Sequence, residues 1–426
     1  MAKFLNILAV TVLICAVAIR SAWFLKDQKQ TILPKNTQIK FAFKVKREPK
    51  ISYQNQIIEV GEDKIITGLY PKYRVGEKLI VEGVADDVGR IYYPKIEVTG
   101  QDKGFTFYLW LLRQKISGNF QKLLPAGEAT LVGGTVLGID SISQSFRDQL
   151  IKTGTIHVVV VSGQNLMIVA GIFLSFAQFL GRRKSLILAT AAVFFYAFLT
   201  GLEPPVLRAS IMVLASTLAI YFGREVWPIW NLALAVLIIA FIWPNAILEV
   251  SFQLTFAASL GIMTLGQQLQ RVLGVPKVPK VSKGDSTNDS DYKKARGTRG
   301  TLDTLGTLFV NNAAIAVSAY LFTAPVILFH FGKIWPLAPL ANILVMEAVF
   351  PLMILGFLTA FTSLIFMPLA VIFAYLAFAP AFFFVKTVEI FSKIPIDQIS
   401  LGKGSLLMAV GWYGVMLFLM WIWRRK

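Results

Sequence analysis

Charge is what this sequence has least of. Only 15% of its 426 residues are charged and 55% are hydrophobic, with a mean hydropathy of +0.63. A water-soluble domain averages about 25% charged. A chain soluble throughout is therefore excluded, and an integral membrane protein with some soluble mass is indicated. Cysteine is almost absent: Cys15 stands alone in an apolar run, so no intramolecular disulfide forms. Histidine is nearly as scarce, with His157 and His330 only. One thiol and two imidazoles are too few for the usual zinc site, and neither a metal nor another cofactor is expected. Acids are few beside bases, 24 against 42, which leaves a net charge of +18. That balance favours anionic partners such as nucleic acid or the headgroups of the lipid bilayer. No P-loop or other nucleotide-binding motif occurs, so a driving motor must be a separate protein.

Along the chain the texture changes several times. Residues 1–25 contain an apolar run long enough to span a membrane. It is longer than the core of a signal peptide, and Arg20 stands where a cleavage site would need a small residue. It is read as an uncleaved anchor. Residues 38–100 alternate between polar and apolar in short runs separated by Gly61, Gly68, Pro71, Gly76, Gly83 and Gly89. Period-two alternation between turn residues predicts a small antiparallel β domain, and five short runs suit a barrel of the OB type. Basic residues outnumber acidic ones here, interleaved with Tyr53, Tyr70, Tyr73, Tyr92 and Tyr93. Two readings stand. Rings and cations together make a single-strand binding face, or the tyrosines fill a small core and the lysines are a solvated surface. Residues 105–152 are expected to hold amphipathic or interfacial helices, with Phe105–Leu124 lying on the membrane surface and Gly127–Gly138 too short to span alone.

The remaining apolar runs, among them 247–269, 340–363 and 364–391, predict a polytopic α-helical bundle. Residues 153–269 form its first part and residues 304–426 its second, separated by a flexible linker at 270–303 rich in Pro, Gly, Ser and charge. With the anchor, about ten spans are expected. The fold class is thus mostly α, a transmembrane helical bundle behind an N-terminal, extracytoplasmic, OB-like β domain. The positive-inside rule supports one topology. With the N-terminus in the cytoplasm, the linker, Gly181–Lys184, Arg224 and the C-terminal Arg424–Lys426 all fall on that side. The protein then sits in the cytoplasmic membrane with both termini inside.

Polar residues inside the spans mark the candidate site, because polar groups in hydrocarbon are costly unless they face protein or water. The run 153–171 carries His157, Ser162, Gly163, Gln164 and Asn165. Its Ser-Gly step followed by two amides predicts a helix that breaks within the bilayer and lines a cavity. The rival reading is helix packing through small and polar residues. Arg208 lies about a turn into another span, with Glu203 as its candidate partner; snorkelling to headgroups is the alternative. Glu249 and Gln253 lie one turn apart on one helix face, where they serve either the cavity or interhelical hydrogen bonds. Asn342 adds further intramembrane polarity. Donors, amides and arginine dominate this lining while acids are few, which suits passage of an anion better than proton pumping.

Four short motifs bring a family to mind. Gly154, His157, Ser162, Gly163 and Asn165 fit the pattern G-x-x-H-x-x-x-x-S-G-x-N. Pro205, Arg208 and Ala209 fit P-x-x-R-A, and Phe252–Ala258 fits F-Q-L-S-F-A-A with Thr255 in place of Ser. Pro325, Phe331, Gly332, Asn342, Ile343 and Leu344 complete the order. In these motifs, and in nearly its whole layout, the chain resembles the ComEC family of competence proteins, membrane channels for DNA uptake. Gln164 departs from the family's apolar residue at that position. No H-x-H-x-D-H motif is present, so the metallo-β-lactamase-like domain that ends many members is expected to be lacking, and any nuclease to be another protein.

The resemblance implies passage of single-stranded DNA across the cytoplasmic membrane in natural transformation. It also implies a cytoplasmic DNA-translocating motor, an extracytoplasmic DNA receptor, and assembly as a homodimer. Arg208 would then contact phosphates. Ser162, Gln164 and Asn165 would line the path, with His157 and Gln253 holding the helix break in shape. Catalysis is not expected. A transporter of other anionic or glycan-lipid solutes is the first rival. The second is an enzyme using Ser162 with His157, which point about 140° apart on a continuous helix and have no acid to orient the histidine.

Overall fold

A computed structural model describes residues 38–273 and 301–425. Breaks fall at 47, 53–54, 62, 87–88, 140, 160–162, 203, 223–226, 243, 397 and 401–405. The expected anchor and most of the linker lie outside the described residues.

The β region holds seven strands in two sheets where five in one barrel were expected. Strands β1 (Gln38–Lys44), β5 (Glu77–Val84) and β7 (Lys95–Gln101) make an antiparallel sheet with β5 central. Strands β2 (Lys50–Ser52), β3 (Asn55–Val60), β4 (Asp63–Gly68) and β6 (Arg90–Tyr92) make the other, in that order. The β4–β6 pairing is parallel, with Ile66 opposite Tyr92. A single bridge, Ala85 to Ile91, ties the sheets together, and they do not close into a barrel. Alternation does its expected work: Leu79 and Val81 point inward and join Val45, Ile58, Ile65 and Ile91 in one small core.

The rest is helical. Five helices or helix pairs are long and apolar enough to cross a membrane: Ile156–Leu180, Arg183–Thr200, Val310–Phe331, Ala338–Ile365 and Met367–Lys393. Val206–Tyr221 and Pro228–Ile242 are apolar but shorter. The run expected to span from 247 to 269 is helical from Val250 onward, with a change of winding part-way. A 3₁₀ turn (Pro244–Leu248) leads into a helix (Val250–Gly261), a π-helical turn (Ile262–Gly266) and a last short helix (Gln267–Val272). Five spans, rather than about ten, therefore emerge among the described residues.

The centre of the bundle is a segment the sequence placed at the interface. Helix α2 (Ala126–Leu137) is buried continuously from Leu131 to Leu137. Its small residues explain this. A Cβ on Gly134 would lie 2.9 Å from Val159 Cγ1, so glycine is what allows that approach. From the other side, a Cβ on Gly356 would lie 2.6 Å from Val136 Cγ2, so the helix Ala338–Ile365 meets α2 through a glycine as well. The preceding helix α1 (Phe105–Leu123) joins this core through Leu109, Ile116 and Phe120. Asn119 Nδ2 donates to the Ser363 carbonyl and hydroxyl, each at 3.2 Å. One face of α1 is thus fixed to the bundle rather than left lying on lipid. The helix Met367–Lys393 buries Ala370, Ala374, Ala377 and Ala381, each at most 1% exposed, along one stripe. Lipid is as apolar as leucine, so such contacts rest on close van der Waals packing through small residues.

Candidate functional site

The first polar group is built on a glycine turn. Helix α3 (Gln144–Lys152) is capped by Ser143, whose side chain accepts from the Phe146 amide. It ends where Gly154 takes φ +70°, a left-handed conformation that favours glycine. A Cβ there would also lie 2.9 Å from the Ala338 Cβ. The freed Gly154 carbonyl has two neighbours: His157 Nδ1 at 3.1 Å and Asn342 Nδ2, which donates at 3.5 Å. His157 and Asn342 therefore meet through one backbone oxygen. Thr153 and Thr155 hydroxyls lie 2.8 Å apart beneath the turn.

Helix α4 (Ile156–Val159) follows, then α5 (Gly163–Ser175). Ser162 lies outside the described residues. Asn165 is 1% exposed, and its Nδ2 donates to the Thr135 carbonyl at 3.0 Å. The Tyr196 hydroxyl donates to the same carbonyl at 3.2 Å. Asn165 thus ties α5 to the central helix α2. Gln164 and the His157 ring stand on the exposed surface of the chain.

Gly163 joins this group to the next. A Cβ on it would lie 3.3 Å from the Ala209 Cβ, which places the helix Pro204–Tyr221 directly against α5. One residue before that contact is Arg208, 7% exposed. Its Nε and Nη1 are buried with no hydrogen-bond partner among the described residues. Glu203, its candidate partner from sequence, lies outside them. The neighbouring Ser210 hydroxyl is likewise buried without a partner among the described residues.

The third group sits on the far side of the same helix, where Ile211 packs against the cluster of Ile239, Ala246 and Phe252. Gln253 spends its amide locally: Nε2 donates to the Ile247 and Leu248 carbonyls, each at 3.4 Å. Its Oε1 accepts from His330 Nε2 at 2.8 Å. Glu249 is exposed and accepts from the Ser251 hydroxyl at 3.4 Å.

The Pro204–Tyr221 helix therefore touches the first motif on one side and the third on the other. The structure joins His157 to Asn342, and Gln253 to His330. Sequence reasoning missed His330, Thr135 and Tyr196. His330 had a signal, as one of only two histidines; a threonine carbonyl acting as a shared acceptor had none. Among the described residues no group of three or more His, Cys, Asp or Glu could hold a metal ion.

The comparisons with known proteins decide what the assembly belongs to. Residues 136–426 match the family model described as Competence protein. The chain belongs to the competence protein family. A similar relative is ComE operon protein 3 of Bacillus subtilis (strain 168), 27% identical over 192 residues. That stretch is 42% of this chain and 24% of the relative, so only about a quarter of the relative's length is matched. No solved structure matches. The family and the apolar helices together make this ComEC-type competence protein a membrane protein. All three polar groups fall inside the matched region, while the β sheets precede it.

Proposed function

We propose that this competence protein is a conduit for single-stranded DNA through the cytoplasmic membrane. The observation that carries the reading is Arg208. A guanidinium keeps its charge in any protein. Burying an unpaired charge is strongly unfavourable. A cation held in an apolar bundle, with Nε and Nη1 lacking partners among the described residues, is the group a passing phosphate would satisfy. Its helix packs against α5 through Gly163 and Ala209, and the family supplies DNA uptake as the setting.

In this reading the anchor, the two shorter apolar helices, the helical run from Val250 to Val272 and the last helix, Leu406–Arg425, also span, bringing the total to ten. Both termini are cytoplasmic, the β sheets face the outside, and two chains assemble as a homodimer. A separate cytoplasmic motor pulls the strand and a separate receptor delivers it, and the chain itself catalyses nothing. His157, Asn342, Asn165 and Gln253 act as positioning residues that fix the helix breaks around the route. Gln164 and Ser162 line it.

The test is a deletion strain scored for cytoplasmic arrival of labelled DNA. Complementation with the parent chain restores arrival. Arg208→Ala, at equal membrane abundance, restores a small fraction of it, and Arg208→Lys an intermediate one. Full rescue by Arg208→Ala removes the phosphate-contact role. Unchanged arrival in the deletion strain removes the conduit.

A further inference from the structure

The four-stranded sheet shows solvent a face that the bundle does not use. Its strands alternate, so Ile58, Ile65 and Ile91 go to the core while Lys64, Arg90 and Tyr92 go outward. Tyr92 is 50% exposed, Tyr93 64% and Tyr70 79%. Large rings are seldom left this open on a small domain, whose few apolar groups are all needed inside. Tyr73, by contrast, is 8% exposed and does fill the core. The expected alternatives for these tyrosines thus divide by residue.

The exposed rings share one end of the sheet. Ile66 pairs with Tyr92, and the Tyr93 amide donates to the Ile66 carbonyl at 2.8 Å. The Tyr93 hydroxyl donates to Asn55 Oδ1 at 2.8 Å, and Asn55 pairs with Gly68, two residues before Tyr70. Cations stand beside them. Arg90 Nη1 is 3.5 Å from the Tyr92 hydroxyl, and Lys72 Nζ is 5.8 Å from the centre of the Tyr70 ring. Lys64 pairs with Arg90 across the two strands. Two acidic side chains stand beside this strip: Glu59 is opposite Lys64, and Asp86 Oδ1 accepts from the Arg90 amide at 2.7 Å.

We infer that Tyr70, Tyr92 and Tyr93, with Lys64, Lys72 and Arg90, form a stacking platform for single-stranded DNA. This deepens the proposed function, on which the choice of DNA rests. Bases stack on rings whatever their identity, while cations follow the phosphates. A four-stranded sheet presenting two or three aromatics is a geometry that splayed bases suit. The rival use of exposed tyrosines is anchoring at a lipid interface. The geometry favours DNA. Tyr93 lies at the start of β7, whereas α1, which packs on the bundle, follows the other end of that strand. A strand of this length separates the two by roughly 20 Å.

The experiment uses the full chain in nanodiscs and a fluorescent oligothymidylate, read by anisotropy. Tyr92→Ala with Tyr93→Ala weakens binding at least tenfold, and Tyr70→Ala weakens it about fivefold. Tyr93→Phe, which keeps the ring, stays within about twofold of the parent. Lys64→Gln with Arg90→Gln lowers the dependence of affinity on salt. Parent-like binding by the alanine variants overturns the platform. It is also overturned if those variants instead lose affinity for anionic lipid vesicles while still binding the oligonucleotide. Neither result touches the membrane route, which is read from DNA arrival with Arg208 variants. Failure of that route leaves the anisotropy result standing.

Discussion

The β sheets and the first half of the helix Met367–Lys393 are built inside out relative to each other. In the sheets, large aliphatics such as Leu79, Val81 and Ile58 are buried and charged side chains face outward. In the first half of the helix Met367–Lys393 the buried stripe is alanine, while Val371, Ile372 and Tyr375 are 50%, 57% and 78% exposed; further on, Phe384 and Val388 fill the core. Each region has sorted its residues against a different solvent. Water drives large apolar groups inward. Lipid does not, so along this stretch the small residues that let backbones approach go inside, and bulk is left to meet the acyl chains.

That contrast makes opposite demands on substitution. Shrinking the sheet core is the most damaging change: Leu79→Ala should cost about 2–5 kcal/mol in the unfolding of the β region. In the bundle enlargement does the harm. Ala377→Leu should cost about 1–3 kcal/mol, while Ile372→Leu on the same helix stays within about 0.5 kcal/mol, both followed by thermal unfolding in detergent. If the two bundle substitutions behave alike, the inside-out contrast is broken.

The same seam explains what sequence could and could not supply. Hydrophobic runs marked the long helices well: 340–363 was expected and Ala338–Ile365 is found, and 364–391 became Met367–Lys393. Alternation found strands near 39–45, 56–60 and 78–82. Parallel pairing of β4 with β6 was invisible, because register between distant strands leaves no local pattern. Helix α2 was misplaced for a related reason. Twelve residues rich in glycine look too short and too bland to matter, and their value lies in which backbones they admit. The site residues were legible as polar exceptions in apolar runs. Their partners were not, since Thr135, Gly154 and Ile247 take part through backbone carbonyls that any residue owns.

Asn165 sharpens the point, being a candidate lining residue whose amide is spent on packing. Asn165→Ala should lower stability by about 1 kcal/mol. With Tyr196→Phe as well, the Thr135 carbonyl loses both donors, and the loss should exceed the sum of the two single changes. Strict additivity in a double-mutant cycle would deny the shared acceptor.

The smallest effect belongs to an exposed ion pair at the edge of the three-stranded sheet. Lys44 Nζ lies 2.7 Å from Asp102 Oδ2, and this hydrogen bond holds the Asp102 carboxyl below its usual range. A depressed carboxyl stabilises above its unfolded value, near pH 4, and its contribution fades as pH falls through the lower folded value. Lys44→Gln should therefore lower the melting temperature slightly at pH 7, and progressively less as pH falls below about 4. A solvated pair promises no more.

Thiol accessibility tests the wet route most directly. Cys15→Ser removes the chain's single cysteine, and Arg208→Cys or Ile372→Cys then places one thiol at a chosen spot. A water-soluble thiol reagent attacks the thiolate, which forms only where water reaches. In intact cells the account predicts rapid labelling at position 208 and none at position 372. If position 208 proves as inert as position 372, the bundle is dry there and the conduit is contradicted.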